Sequence, residues 1–151
     1  MSTPVTKELV ARALPGNLKS AATDELADLI NQISTDPLVA EQIRDNFLSY
    51  TSVLKEGKYK VEDYLNAVAY CSYKLMGESN QDAYFKTFPQ RYANLMAAGR
   101  TPKEISSYVS AYAKGQLVNK IMEQTLVPSW VLNQHMYQAA LNTQFNLMSD
   151  E

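Results

Sequence analysis

Apolar residues recur every three or four positions along most of this chain, which is the spacing of one face of an α-helix. One such stripe consists of Leu26, Leu29, Ile30 and Ile33. The pattern predicts helices over residues 5–14, 24–34, 37–55, 61–76, 80–87, 89–98, 102–113, 116–125 and 129–148. No alternating runs bounded by turn pairs are present, as a β-rich protein would require. We therefore predict an all-α protein built as a multi-helix bundle.

Residues that start and stop helices support these boundaries. Asp36-Pro37 is a strong start signal, because Asp accepts hydrogen bonds from free amides and Pro at the first helical position loses no bond. Thr101-Pro102 repeats this logic, and Glu104 completes a predicted capping box. Gly77 is expected to close a helix, and Pro89 to break one.

The chain divides into three regions on this pattern. Residues 1–78 form an N-terminal helical region, residues 79–125 hold a candidate helix-turn-helix, and residues 126–151 contain an uncharged C-terminal helix. The alternative is that all three belong to one compact domain, which is the usual organisation for 151 residues.

The candidate helix-turn-helix lies in residues 97–124. Its first half follows the order common in bacterial versions of the motif, with Leu95, Ala97, Ala98, Gly99, Thr101, Glu104, Ile105 and Val109. The second helix would be anchored by Leu117 or Val118 and then Ile121. That spacing requires a turn one or two residues longer than the tightest versions. A plain pair of packed helices remains the alternative interpretation.

Charge is unevenly distributed along the chain. The formal net charge is −2, yet residues 86–120 carry six basic residues and only Glu104 as an acid, a local charge of +5. Such asymmetry suits a phosphate-contacting surface. Gln and Asn can pair with adenine edges, and Lys can meet phosphates or guanine. The candidate DNA-binding residues are Lys86, Arg91, Arg100, Lys103, Lys114, Gln116, Asn119 and Lys120. An ordinary solvated basic face is the alternative.

The stretch from 124 to 149 contains no Asp, Glu, Lys or Arg. A helix on the surface of a monomer normally keeps a charged face. We therefore expect a second subunit to cover it, in a homo-oligomer. The candidate interface residues are Trp130, Leu132, Met136, Tyr137, Leu141, Phe145 and Leu147. The alternative is a central core helix of a monomer.

No catalytic signature is found. The lone cysteine, Cys71, excludes an internal disulfide and a cysteine-cluster zinc site, and His135 has no acidic neighbour with which to bind a metal. No glycine-rich phosphate loop is present. We therefore expect a protein that is not an enzyme and needs no cofactor or metal. There is neither a signal-peptide core nor an apolar run of membrane-spanning length, so we expect a cytoplasmic protein.

The stretch "YKLMGESNQDAYFKTFPQRYANLMAAGRTPKEISSYVSAYAKGQLVNKIMEQTLVPSWVLNQ" resembles the small terminase subunits of tailed bacteriophages. The resemblance covers about half the chain and rests on the order and composition of the residues. It implies a homo-oligomer, a ring as in that family, that recognises viral double-stranded DNA and delivers it to the large terminase subunit. That large subunit is the ATPase and nuclease. The location would then be the host cytoplasm.

Carried over to this chain, the resemblance places Arg100, Lys103, Lys114, Gln116, Asn119 and Lys120 on DNA and the 129–148 helix in the assembly. One departure is that many members carry the DNA-binding element at the N-terminus, whereas here it comes late. Two alternatives stay open. One is a structural helical assembly protein without DNA binding, and the other is a helix-turn-helix transcriptional regulator.

Overall fold

The computed structural model describes residues 4–56 and 58–127 of the chain. Every regular element among these residues is helical, which confirms the predicted all-α class. The α-helices are α1 (Lys7–Ala13), α2 (Asp24–Asn31), α3 (Pro37–Ser49), α4 (Val61–Leu75), α5 (Asn80–Thr87), α6 (Pro89–Ala97), α7 (Pro102–Ala113) and α8 (Gln116–Gln124). Two 3₁₀ helices, Gly16–Ala21 and Thr51–Glu56, complete the described chain. The predicted 129–148 helix and the seven candidate interface residues on it lie outside the described residues.

Side-chain caps explain why most of these helices begin where they do. The Thr23 hydroxyl accepts from the amide of Leu26, and the Asp36 carboxylate accepts from the amide of Leu38. Each bond satisfies an amide that has no partner within its helix. Thr101 and Glu104 form the predicted capping box at the start of α7. The start signals predicted at Asp36-Pro37 and Thr101-Pro102 are therefore confirmed.

Two local predictions are wrong in extent. The helix predicted over 37–55 ends at Ser49, and the chain continues as the 3₁₀ helix Thr51–Glu56. No Gly or Pro marks that change. Residues 16–21 form a 3₁₀ helix, although no helix was predicted between residues 14 and 24. The Lys19 ammonium connects this 3₁₀ helix to the end of α1. It donates to the carbonyls of Ala11, at 2.5 Å, and Leu14, at 3.1 Å.

Helix α4 is the centre of the fold. Ten of its 15 residues are buried, which is far more than the single stripe of a surface helix. It packs against α3, α5 and α8. Most of the buried apolar residues of regions 1–78 and 79–125 belong to one hydrophobic cluster. Its members from the later region are Ala83, Tyr84, Val109, Val118 and Ile121.

Three buried polar side chains on α3 and α4 are hydrogen-bonded: Asn46, Tyr64 and Ser72. The Tyr64 hydroxyl donates to the Phe47 carbonyl at 2.6 Å, and burial raises the pKa of Tyr64 well above its ordinary value. The Asn46 amide donates to the Ser72 hydroxyl at 2.9 Å. That hydroxyl donates in turn to the Val68 carbonyl at 2.7 Å. Pairing of this kind removes the cost of burying polar atoms and fixes the register of the two helices.

An aromatic cluster joins α4, α5, α6 and α7. Neighbouring rings have centroids 4.5 to 5.4 Å apart, mostly edge to face, which is the favourable arrangement for aromatic pairs. Burial raises the pKa of Tyr112, at its centre. The members are Tyr70, Tyr84, Phe85, Phe88, Tyr92 and Tyr112. The cluster therefore holds the α5–α6 pair, which Pro89 separates, onto the rest of the molecule.

Candidate nucleic-acid interface

Helices α7 and α8 follow each other across a two-residue connection, Lys114-Gly115. Before α7, Gly99 takes the left-handed backbone conformation, with φ 71°, and the Arg100 amide bonds back to the Leu95 carbonyl at 3.1 Å. This glycine ending lets the chain leave α6 and enter α7 directly. The two helices predicted over 102–113 and 116–125 are therefore present, and their exposed side chains decide what they can contact.

One side of α8 is buried in the core. Val118 and Ile121 are buried against α4, and the Cys71 thiol lies 3.8 Å from the Val118 carbonyl. The residues that α8 leaves exposed are Gln116, Asn119 and Glu123. The Asn119 amide also donates to the Lys114 carbonyl at 3.1 Å, so it helps hold the connection. Of the two candidate base-reading side chains, Gln116 and Asn119, Gln116 has fewer hydrogen bonds to the described protein.

Lys120 is held by the protein itself. Its ammonium lies 2.5 Å from a Glu56 carboxylate oxygen and 5.7 Å from the centre of the Tyr59 ring, and its side chain is only 22% exposed. The hydrogen bond between Lys120 and Glu56 raises the pKa of Lys120 and lowers that of Glu56. Lys120 therefore joins α8 to the 3₁₀ helix Thr51–Glu56, and less of its charge faces solvent.

Two more candidate residues are paired with acids. Lys86 forms an ion pair with Glu78 and lies 5.8 Å from the Tyr73 ring centre. Arg100 lies 3.4 Å from Glu104, one helical turn away, and both side chains remain nearly half exposed. Exposed pairs of this kind contribute little to stability, so a phosphate can compete for Arg100.

Arg91 occupies a different environment. Its guanidinium lies 3.8 Å from the centre of the Phe88 ring and donates to the Tyr84 hydroxyl at 3.1 Å. Stacking of a guanidinium on an aromatic face is favourable and fixes the side chain in place. Arg91 is therefore exposed to solvent and is also packed against the aromatic cluster.

The exposed side of α7 carries the remaining two lysines. Lys103 and Lys114 lie at its two ends, and hydroxyl groups occupy the turns between them. Together with Ala111 these side chains line an open depression of about 470 Å³. We call this surface the serine–lysine face, and its polar members are Lys103, Ser106, Ser107, Ser110 and Lys114. Among the described residues, no carboxylate forms an ion pair with either lysine.

The structure thus brings together only part of the predicted site. Lys103 and Lys114 share one face, with Arg100 a turn before it. Lys86 and Arg91 lie with α5 and α6, and Lys120 lies against the 3₁₀ helix. The serines of α7 were not among the predicted site residues, although the spacing of Ser106, Ser107 and Ser110 between two lysines places them on one helical face.

Comparison of the chain with protein-family models, with curated proteins and with solved structures finds no match in any of the three. Within residues 4–56 and 58–127, no three His, Cys, Asp or Glu side chains come together as metal ligands. Over the same residues, no helix is long and apolar enough to cross a membrane.

Proposed function

We propose that this protein binds the sugar–phosphate backbone of double-stranded DNA through the serine–lysine face of α7. The observation that carries the proposal is the combination of groups on that face: two lysine ammonium groups without acidic partners in the described chain flank three serine hydroxyls. The Ser107 hydroxyl already donates to the Lys103 carbonyl at 3.0 Å, so the hydroxyls of Ser106 and Ser110 are the ones that can donate to a phosphate. Lys and Ser side chains are among the groups that contact phosphate oxygens in protein–DNA complexes. They carry no sequence information there and fix the position of the protein.

The dimensions of the face support the same proposal. Lys103 and Lys114 are separated by about 16 Å along the helix axis, at 1.5 Å per residue. That length exceeds the roughly 12 Å width of the major groove, so the two ends of α7 can reach phosphates on both sides of it. Arg100, one turn before Lys103, extends the charged line.

Helix α8 supplies the base-reading part of the proposal. Gln116 is exposed at its first turn, directly after the connection from α7. A glutamine at this place can pair with an adenine edge in the major groove. In this arrangement α7 contacts the backbone and the start of α8 enters the groove, as in a helix-turn-helix.

The wider role we propose is that of a non-catalytic DNA-recognition subunit, of the small-terminase kind that residues 73–134 resemble. It would act as a homo-oligomer and deliver DNA to a large ATPase and nuclease subunit. Support for this wider role is the sequence resemblance together with the lysine and serine groups on α7.

A measurement of DNA binding against salt tests the proposal. Replacing Lys103 and Lys114 with Ala should weaken binding to every duplex alike. Each lost phosphate contact should also reduce the log–log salt slope by about 0.9, or about 1.8 for the pair. Fluorescence anisotropy with a labelled duplex of random sequence gives both quantities. The matched control replaces Lys7 and Lys55, which are also exposed and carry the same charge, and should leave the slope unchanged.

The contribution of α8 is measured separately. Gln116→Ala should leave the salt slope unchanged and reduce discrimination between a preferred duplex and a random one, by about 1–3 kcal/mol if the contact is bidentate. Absence of salt-sensitive binding by the natural chain at low salt would refute the proposal as a whole.

The second candidate is a structural helical assembly protein that does not bind DNA. It is favoured by the internal pairing of Lys86, Arg100 and Lys120 with acids, which accounts for half of the basic residues in 86–120 without a nucleic acid. It becomes the leading candidate if the natural chain shows no binding.

A further inference from the structure

The surface of helix α6 is typical of a helix that is covered by another protein segment. None of its nine residues is buried in the described chain, although it includes Tyr92, Leu95 and Met96. Tyr92 is 43% exposed and Met96 is 54% exposed. A helix this short is not stable in water by itself, and most helical stability in proteins comes from packing of an apolar face.

The low number of charged residues in α6 also indicates that another protein segment covers it. A helix exposed along its whole length is expected to be rich in charged residues, yet the sequence PQRYANLMA contains one, Arg91. That guanidinium is already stacked on the Phe88 ring. The other polar side chains are the amides of Gln90 and Asn94, which bond to each other at 3.2 Å. Tyr, Met and Arg are enriched, and Lys, Glu and Asp depleted, in the buried centres of protein interfaces.

The chain carries a segment of matching character. Residues 128–149 hold no Asp, Glu, Lys or Arg, and their polar side chains are mostly Asn and Gln. Apolar residues recur through the segment at helical spacing. Contact between this segment and α6 would bury a segment without charge against a helix that has one charged side chain, Arg91, whose guanidinium is already stacked on the Phe88 ring. Such a contact would remove few ions from water.

The position of the last described residues favours a segment from another subunit. Helix α8, which leads into the segment, lies against α4 and the 3₁₀ helix Thr51–Glu56, whereas α6 lies against α5. At the end of the described chain, Leu126 is 85% exposed. We infer that α6 is an acceptor surface for residues 128–149 of a second copy of this chain. The inference rests on the homo-oligomer of the proposed function and does not depend on DNA binding.

Disulfide trapping in the full chain tests the inference. Two forms that differ in an affinity tag are co-expressed, one with Met96→Cys and the other with Cys at one of Leu132, Leu141 or Leu147 in turn. The natural Cys71 does not interfere, because it is buried and burial raises the pKa of its thiol to about 12. The expected result is a cross-link between unlike chains at one or more positions. Lys7→Cys in place of Met96→Cys is the control and should give none.

Other cross-linking results would overturn the inference. A further variant carries both cysteines in one chain. If a cross-link forms only within that chain, and none forms between unlike chains, the chain's own segment covers α6. A cross-link between two Met96→Cys chains alone would mean that two α6 helices meet each other. The absence of any cross-link between α6 and the segment would also contradict it.

Light scattering during size exclusion separates this inference from the wider proposal. A monomer of 16.9 kDa for the natural chain would overturn both the oligomer and the inference. In an oligomer, Met96→Glu should shift the mass toward that of the monomer, because it places a charge in an interface without a partner. The matched control is Leu38→Glu, at a leucine that is 75% exposed on α3, and it should leave the mass unchanged. Failure of DNA binding alone would leave these results unaffected.

Discussion

At the scale of single residues, the surroundings of a charge matter more than its presence. Lys114 and Lys120 are six positions apart and identical in sequence terms. Lys114 is exposed on the serine–lysine face, whereas Lys120 is largely covered by Glu56 and the Tyr59 ring. A charge count over 86–120 treats them alike. We therefore expect the phosphate-contacting surface to be smaller than the local charge of +5 suggests.

Acidification should weaken the start of α7. The hydrogen bond from the Thr101 amide lowers the pKa of Glu104 in the folded protein below its ordinary value of 4.5. A lowered folded-state pKa means that the stabilisation is complete above about pH 4.5 and is lost as the pH falls through the folded value. Glu104→Ala should therefore have a lower melting temperature than the natural chain at about pH 7, with a difference that shrinks toward about pH 3.

Glutamine provides the control for this prediction. Glu104→Gln keeps an acceptor for the Thr101 amide but has no carboxyl group to titrate. Its melting temperature should fall less steeply with acid than that of the natural chain. Parallel curves for the natural chain and both variants would show that Glu104 makes no pH-dependent contribution.

At the scale of helices, start signals could be read from sequence because they are local. Thr23, Asp36 and Thr101 each act within three residues of themselves, and Asp36 and Thr101 cap the helices that they were predicted to cap. The change from α-helix to 3₁₀ helix after Ser49 was missed, because no local residue marks it. The Lys120–Glu56 pair joins positions 64 apart, and no spacing rule predicts such a contact.

Helix α8 combines a core role with its proposed DNA contact, and the two can be separated. Ile121 is fully buried against the core, so Ile121→Ala should cost about 2–5 kcal/mol of unfolding free energy through lost burial and a cavity. Gln116→Ala, in the exposed first turn of the same helix, should cost little. Urea unfolding followed by circular dichroism measures both. Equal stability of the two variants would contradict the packing of α8 on α4.

At the scale of the whole molecule, burial is graded from α4 outward to α6. Amides of α4 should exchange with solvent most slowly, near the rate set by global unfolding, because ten of its residues are buried. Amides of α6 should exchange quickly in dilute protein and more slowly as concentration rises, because assembly would cover them. Hydrogen exchange followed by mass spectrometry measures both helices at once. Protection of α6 that does not depend on concentration would contradict its role as an intersubunit surface.

The contact between α4 and α8 also has a consequence for how the protein is made. Synthesis delivers the chain from the N-terminus, so α1 to α5 leave the ribosome before α8 exists. Until residues 116–124 emerge, the side of α4 that includes Cys71 has no cover from Val118 and Ile121. Closing that side joins segments distant in sequence, which is a slow kind of folding step. The nascent chain therefore exposes one apolar side of α4 during synthesis, and α8 ends that exposure.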